Sequence, residues 1–132
     1  MFNPREEHVR KPEDVRIPII RLGKNLIVSV QITLEDRQAL NLQDDILREI
    51  KKGGAEGLII DISAMQIMDS YIARVLNAIA QNALLMGTPT VVVGMRPAIA
   101  ITLVVMGMEF KNIKTTANLE DALKLLVEKS EL

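Results

Sequence analysis

The segment IDISAMQIMDSYIAR, residues 60–74, gathers the side chains of this sequence best suited to chemistry: Asp61, Asp69, Ser70 and Arg74. An apolar run ends at Asp61, a short irregular stretch follows, and Asp69-Ser70 opens a helix. A helix N-terminus presents unpaired N–H groups and partial positive charge, so it tolerates an anion. Asp69 suits the N-cap, where its carboxylate accepts a backbone N–H. Ser70 then takes the first helical position, its hydroxyl free to face solvent, with Arg74 one turn on. A phosphate there would add roughly −1.5 to −2 charges at pH 7, near a guanidinium but beside the repelling Asp69. The pair is therefore either a modifiable serine on a capped helix or a capping dipeptide and nothing more.

Other chemistries fail on specific positions. A hydrolase nucleophile elbow needs glycine two residues either side of the serine, and those positions are Met68 and Ile72. The general base is missing too, because the one histidine, His8, lies in the polar N-terminal segment. Asp61 could be the phosphoacceptor of a receiver domain, but the first strand leads into a hairpin, Gly23-Lys24-Asn25, instead of an acidic cluster. Asp61 reads better as a strand-end or loop-capping residue. The chain has no cysteine, which removes thiolate nucleophiles, disulfides and cysteine-ligated metals. No metal-ligand spacing, P-loop or dinucleotide fingerprint is present, and Gly53-Gly54 is too little for a phosphate cradle. The expectation is a non-enzyme with no cofactor and no metal. Thr88, Thr90 and Thr102 remain as other hydroxyls a kinase could use.

Composition narrows the partners. Net charge is −1 over 132 residues and aromatic content is 2%, which argues against nucleic acid and anionic membrane surfaces. No apolar run reaches the ~18–20 residues of a membrane span, and the N-terminus lacks a signal-peptide pattern. The expected location is cytoplasmic. At 48% hydrophobic and 25% charged, the chain is a globular protein of one core.

The elements that must position Ser70 follow from periodicity. Residues 1–15, polar with Pro4 and Pro12, read as a flexible tail, and residues 16–132 as the domain. Residues 17–22 and 26–31 form a hairpin, with Pro18 placing the first strand at an edge. Residues 34–52 form a helix with Ala39, Leu40, Ile46, Leu47 and Ile50 on its apolar stripe, stopped by Gly53-Gly54. Residues 57–61 are a strand covered on both faces. The Ser70 helix buries Ile72, Val75, Leu76, Ile79 and Ala83 and ends at Gly87 and Pro89. Residues 90–94 form another buried strand. Pro97 starts a helix reaching Met106 and closed by Gly107. A short extended piece spans 113–115, and Asn118 caps a last helix with Leu119, Ala122, Leu123 and Leu126 on one face. The fold class is α/β: a mixed, mostly parallel sheet with an N-terminal hairpin, flanked by about four helices.

Three features bear on partners. The helix from Pro97 is apolar nearly all round, so it is either a central helix on the sheet or partly an interface. Tyr71, the one tyrosine, is either an exposed binding anchor or packs on a neighbouring helix. Met65, Met68, Met86, Met95, Met106 and Met108 are core filler or adaptable surface.

GLIIDISAMQIMDSYIARVL, residues 57–76, resembles the STAS domains of anti-sigma factor antagonists, in which a strand ending in Asp leads to Asp-Ser or Asp-Thr at a helix start. IPIIRLGKNLIVSVQ, LEDRQALNLQDDIL and LLMGTPTVVVGMRPAIAITLVVMG extend the resemblance over residues 17 to about 126. Tyr71-Ile72-Ala73 replaces the Gly-Leu-Gly frequent after the serine in sporulation-type antagonists, so the chain is more similar to the small scaffold (RsbS type) of the bacterial stressosome branch. The resemblance implies a partner-switching regulator phosphorylated on Ser70, with Asp69, Tyr71 and Arg74 around the phosphate or partner. It implies homo-oligomers and large hetero-assemblies. The implied partners are an RsbT-type serine kinase, RsbR-type STAS paralogues and an RsbX-type phosphatase. Alternatives within the family are direct binding of an anti-sigma kinase and a small-ligand-binding STAS module.

Overall fold

A computed structural model describes residues 16–30 and 33–130, without the side chains of 128–130. The expected tail, residues 1–15, lies outside the described residues, as does Gln31 at the end of the second expected strand. The described elements run β1 (Ile19–Leu22), β2 (Asn25–Ser29), α1 (Asp36–Lys52), β3 (Gly57–Asp61), α2 (Ser70–Leu85), β4 (Thr90–Val93), α3 (Pro97–Val105), β5 (Lys114–Thr116) and α4 (Leu119–Ser130).

The sheet is five-stranded in the order β1-β2-β3-β4-β5. β1 pairs antiparallel with β2, and the remaining pairs are parallel. Pro18 directly precedes β1, which is an edge strand, where a missing N–H costs no ladder bond. The hairpin turn is tighter than expected. Leu22 pairs with Asn25, so Asn25 belongs to β2 and the turn is Gly23-Lys24 alone. Gly23 supplies the positive φ of 60° that such a turn requires.

The two faces of the sheet carry unequal cover. Leu26, Val28, Leu58, Ile60 and Val92 point into a core shared with α1, α2 and α3. Ile59, Val91 and Val93 point the other way, onto Ala122 and Leu126 of α4. β3 is thus buried on both sides, as its unbroken apolar run requires. Its first residue is a glycine at a close approach: a Cβ on Gly57 would sit 2.7 Å from a Leu126 methyl and 2.6 Å from the Asn25 amide oxygen, so both side-chain ends would have to shift.

α1 departs from its expected stripe. Ala39, Leu42, Ile46 and Ile50 are buried, while Leu40 is exposed. At about 100° per residue those four positions fall within an arc of about 80° around the helix, and Leu40, about 100° on from Ala39, lies outside it. In α4, Ala122 and Leu126 are buried but Leu119, in the first turn, is exposed. The Asn118 side chain caps that helix by accepting from the Asp121 N–H at 2.9 Å.

Candidate functional site

All parallel strands point toward one edge of the sheet, and both α2 and α3 begin there after leaving β3 and β4. Open α/β sheets place their sites at this edge. α2 starts at Ser70 because Asp69 caps it: the Asp69 carboxylate accepts the Ile72 N–H at 2.8 Å, and its backbone is extended. The next intrahelical bond runs from the Ala73 N–H to the Asp69 carbonyl at 3.0 Å. Ser70 is therefore not consumed as the cap. Its side chain is exposed, and its hydroxyl has no hydrogen-bond partner among the described residues. Arg74, one turn on, is also exposed and unpaired among the described residues. Tyr71 is 38% exposed, and Ile72 and Ala73 are buried beneath it.

The other candidate hydroxyls differ. Thr88 and Thr90 are buried, so no kinase reaches them in the folded chain. Thr102 is exposed, but its hydroxyl donates to the Ala98 carbonyl at 2.9 Å within its own helix. Asp61 acts as a loop cap, its carboxylate accepting the Ser63 N–H at 2.9 Å.

The connection from β3 to α2, residues 62–69, is held closely. Ile62 donates to the Val93 carbonyl at 2.9 Å and Met65 to the Ile62 carbonyl at 3.0 Å. Met65 and Met68 are buried and pin it from below, whereas Ile67 between them is 81% exposed. These two methionines are core, while Met86, at the end of α2, is exposed. Sequence reasoning missed the outer support of this connection, in which Gly94 abuts Ser63 and the Arg96 Nε–H donates to the Ser63 carbonyl at 3.0 Å. A glycine and an arginine just ahead of Pro97 were its only trace.

A second surface bears on association. Of α3, Ile99 and Leu103 face the core, but Ile101, Val104 and Val105 are 64, 76 and 81% exposed. α3 is therefore not a centrally buried helix. Beside it, Met95, Leu103, Val104, Met108, Phe110 and Ile113 line an open groove of about 230 Å³. Among the described residues there is no cluster of three or more His, Cys, Asp or Glu that could hold a metal, and no helix is long and apolar enough to cross a membrane.

The STAS domain family model matches residues 13–122. RsbS of Moorella thermoacetica, solved as a serine-to-glutamate variant, superposes with a TM-score of 0.80 at 33% identity, covering 88% of this chain and 98% of that one. A chain from the molecular architecture of the stressosome, a signal integration and transduction hub, gives 0.77 at 35% identity, covering 87% and 100%. In sequence, the chain is 30% identical over 90 residues to the RsbT co-antagonist protein RsbRD of Bacillus subtilis strain 168, which is 68% of this chain and 32% of that protein. It spans less than half the length of each RsbT co-antagonist protein it matches. STAS domains are non-catalytic regulatory modules. The chain belongs to the STAS domain family and is homologous to the RsbR and RsbS proteins of the stressosome.

Proposed function

We propose that the chain is a cytoplasmic stressosome scaffold that sequesters an RsbT-type serine kinase and releases it when Ser70 is phosphorylated. The observation that carries this reading is the exposed, unbonded Ser70 hydroxyl at the first position of a helix whose cap is supplied by its neighbour. The names of the relatives support the choice of partner, since three are RsbT co-antagonists and one structure is of the stressosome itself. In this reading RsbR-type paralogues share the assembly, and the exposed residues of α3 supply apolar surface for it. An RsbX-type phosphatase resets the serine.

The physics favours a switch at the partner surface over one within the fold. A phosphate at an exposed helix N-terminus gains about 0.3–1 kcal/mol, and Arg74 can add a charge-assisted hydrogen bond. Asp69 opposes both, so the domain itself changes little. A kinase packed over Asp69, Ser70, Tyr71 and Arg74 would instead have to desolvate a dianion. A penalty of only ~3 kcal/mol weakens binding more than a hundredfold.

Incubation with the cognate kinase and ATP, followed by phosphosite mapping, tests the reading. The label is expected on Ser70. Ser70→Ala should take up none and keep its partner, and Ser70→Asp should bind the kinase less tightly. A label on Thr102 that persists in Ser70→Ala would overturn the assignment.

A further inference from the structure

We infer that Arg96 is a positioning residue for phosphorylation of Ser70: its Nε–H, bonded to the Ser63 carbonyl, holds the loop that delivers the serine. The inference rests on the reading of Ser70 given above.

The loop, residues 62–69, is anchored at both ends, by hydrogen bonds at its start and by the buried Met68 and the Asp69 cap at its close, with an exposed pair between them. Hydrogen bonds fix its start, at Ile62, Ser63 and Met65. Gln66 and Ile67 are exposed and make no hydrogen bond among the described residues. Slack at Ser63 is opposed from below by the buried Met65 and Met68, and on the outer side it is left to other contacts. Two residues of the β4–α3 connection remove that slack. Gly94, at φ 78°, lies so close that a Cβ there would stand 2.5 Å from the Ser63 Cβ and 2.9 Å from its Cα. Arg96 then closes the contact through the 3.0 Å bond from Nε to the Ser63 carbonyl.

The position of Arg96 makes this bond informative. It is the N-cap residue of α3, and its side chain makes no capping bond. Asp, Asn, Ser or Thr would serve the helix better there. The long side chain instead spans to another loop and satisfies a carbonyl that has no other partner among the described residues. Phosphoryl transfer depends on holding the attacking hydroxyl in line with the phosphorus, so loop order acts on the chemical step more than on docking.

Two substitutions of similar size to each other separate the bond from the charge. In Arg96→Gln the side-chain N–H₂ falls as many bonds from Cα as the arginine Nε, and the charge is lost. In Arg96→Met a methyl falls there instead. With the full chain, the cognate RsbT-type kinase and ATP, Arg96→Met should lower kcat for Ser70 about five- to tenfold with KM little changed. Arg96→Gln should stay within about twofold of the parent. Amide hydrogen exchange across residues 62–69, measured without kinase, should quicken in Arg96→Met and not in Arg96→Gln. Parent-like kcat and exchange in Arg96→Met would overturn the inference, and so would an Arg96→Gln as impaired as Arg96→Met. If the parent takes no label on Ser70, the proposed function fails, while the exchange comparison still decides whether Arg96 holds the loop.

Discussion

Helices α2 and α3 enter the fold alike and are used differently. Each follows a buried parallel strand, begins at the same edge of the sheet and packs on the same face. α2 buries Ile72, Ala73, Val75, Leu76, Ile79, Ala80 and Ala83, a broad stripe, and along its length leaves polar residues outside, with Tyr71 at its start and Leu85 at its end also exposed. α3, sequence PAIAITLVV, has the more apolar composition and buries only Ile99 and Leu103. The difference lies in their neighbours. α2 sits centrally, with α1 packed along it, whereas α3 lies toward the short β5 side of the sheet. Apolar content thus does not measure burial. In α3 the excess is surface, and contiguous exposed apolar surface of that kind marks interaction sites.

The comparison can be broken first by stability. Ile79→Ala, in the fully buried stripe of α2, should cost about 2–5 kcal/mol in urea unfolding. Ile101→Ala, on the outer side of α3, should stay within about 0.5 kcal/mol. Equal costs would mean that α3 is covered within the monomer and that the contrast is false.

The two helix starts differ on a smaller scale. Asp69→Ala removes a side-chain cap and should cost about 1 kcal/mol. Arg96→Met removes none, so its unfolding midpoint should lie near the parent's even as the loop ahead of Ser70 loosens. A loss in Arg96→Met as large as that in Asp69→Ala would assign Arg96 to the stability of α3 instead of the loop.

The smallest effect on folding should accompany the largest on association. Val104→Lys with Val105→Lys places cations near the C-terminus of α3, where the helix dipole favours them, so stability should change by less than about 0.5 kcal/mol. Light scattering, alone and with an RsbR-type partner, should show the assembly reduced in size. Unaltered assembly would move the association surface away from α3.

Much of this was legible in residue order. The bounds of β3 and the start of α2 agree with expectation, because both are set by neighbours in sequence: turn residues around an apolar run, and Asp69 before a periodic stripe. Pro97 at the first turn of α3 and the Asn118 cap were readable for the same reason. Leu40 was misplaced because Leu40 and Leu42 are equally apolar, and only the side of the helix that its packed neighbours cover separates them. Thr88 and Thr90 could not be told from Ser70 as kinase targets until burial removed them.

The sequence by itself determined the alternation of strands and helices, the cap at Asp69 and the place of Ser70 in its helix, since each depends on contacts within a few residues. It also carried the family likeness. Only the tertiary structure decided which face of each helix is covered, that α3 keeps three large apolar residues outside, and that Gly94 and Arg96 brace a loop more than 30 residues earlier. Those outcomes depend on which strands become neighbours. Parallel pairing of β3 with β4 brings two loop starts side by side, a contact that no local pattern encodes.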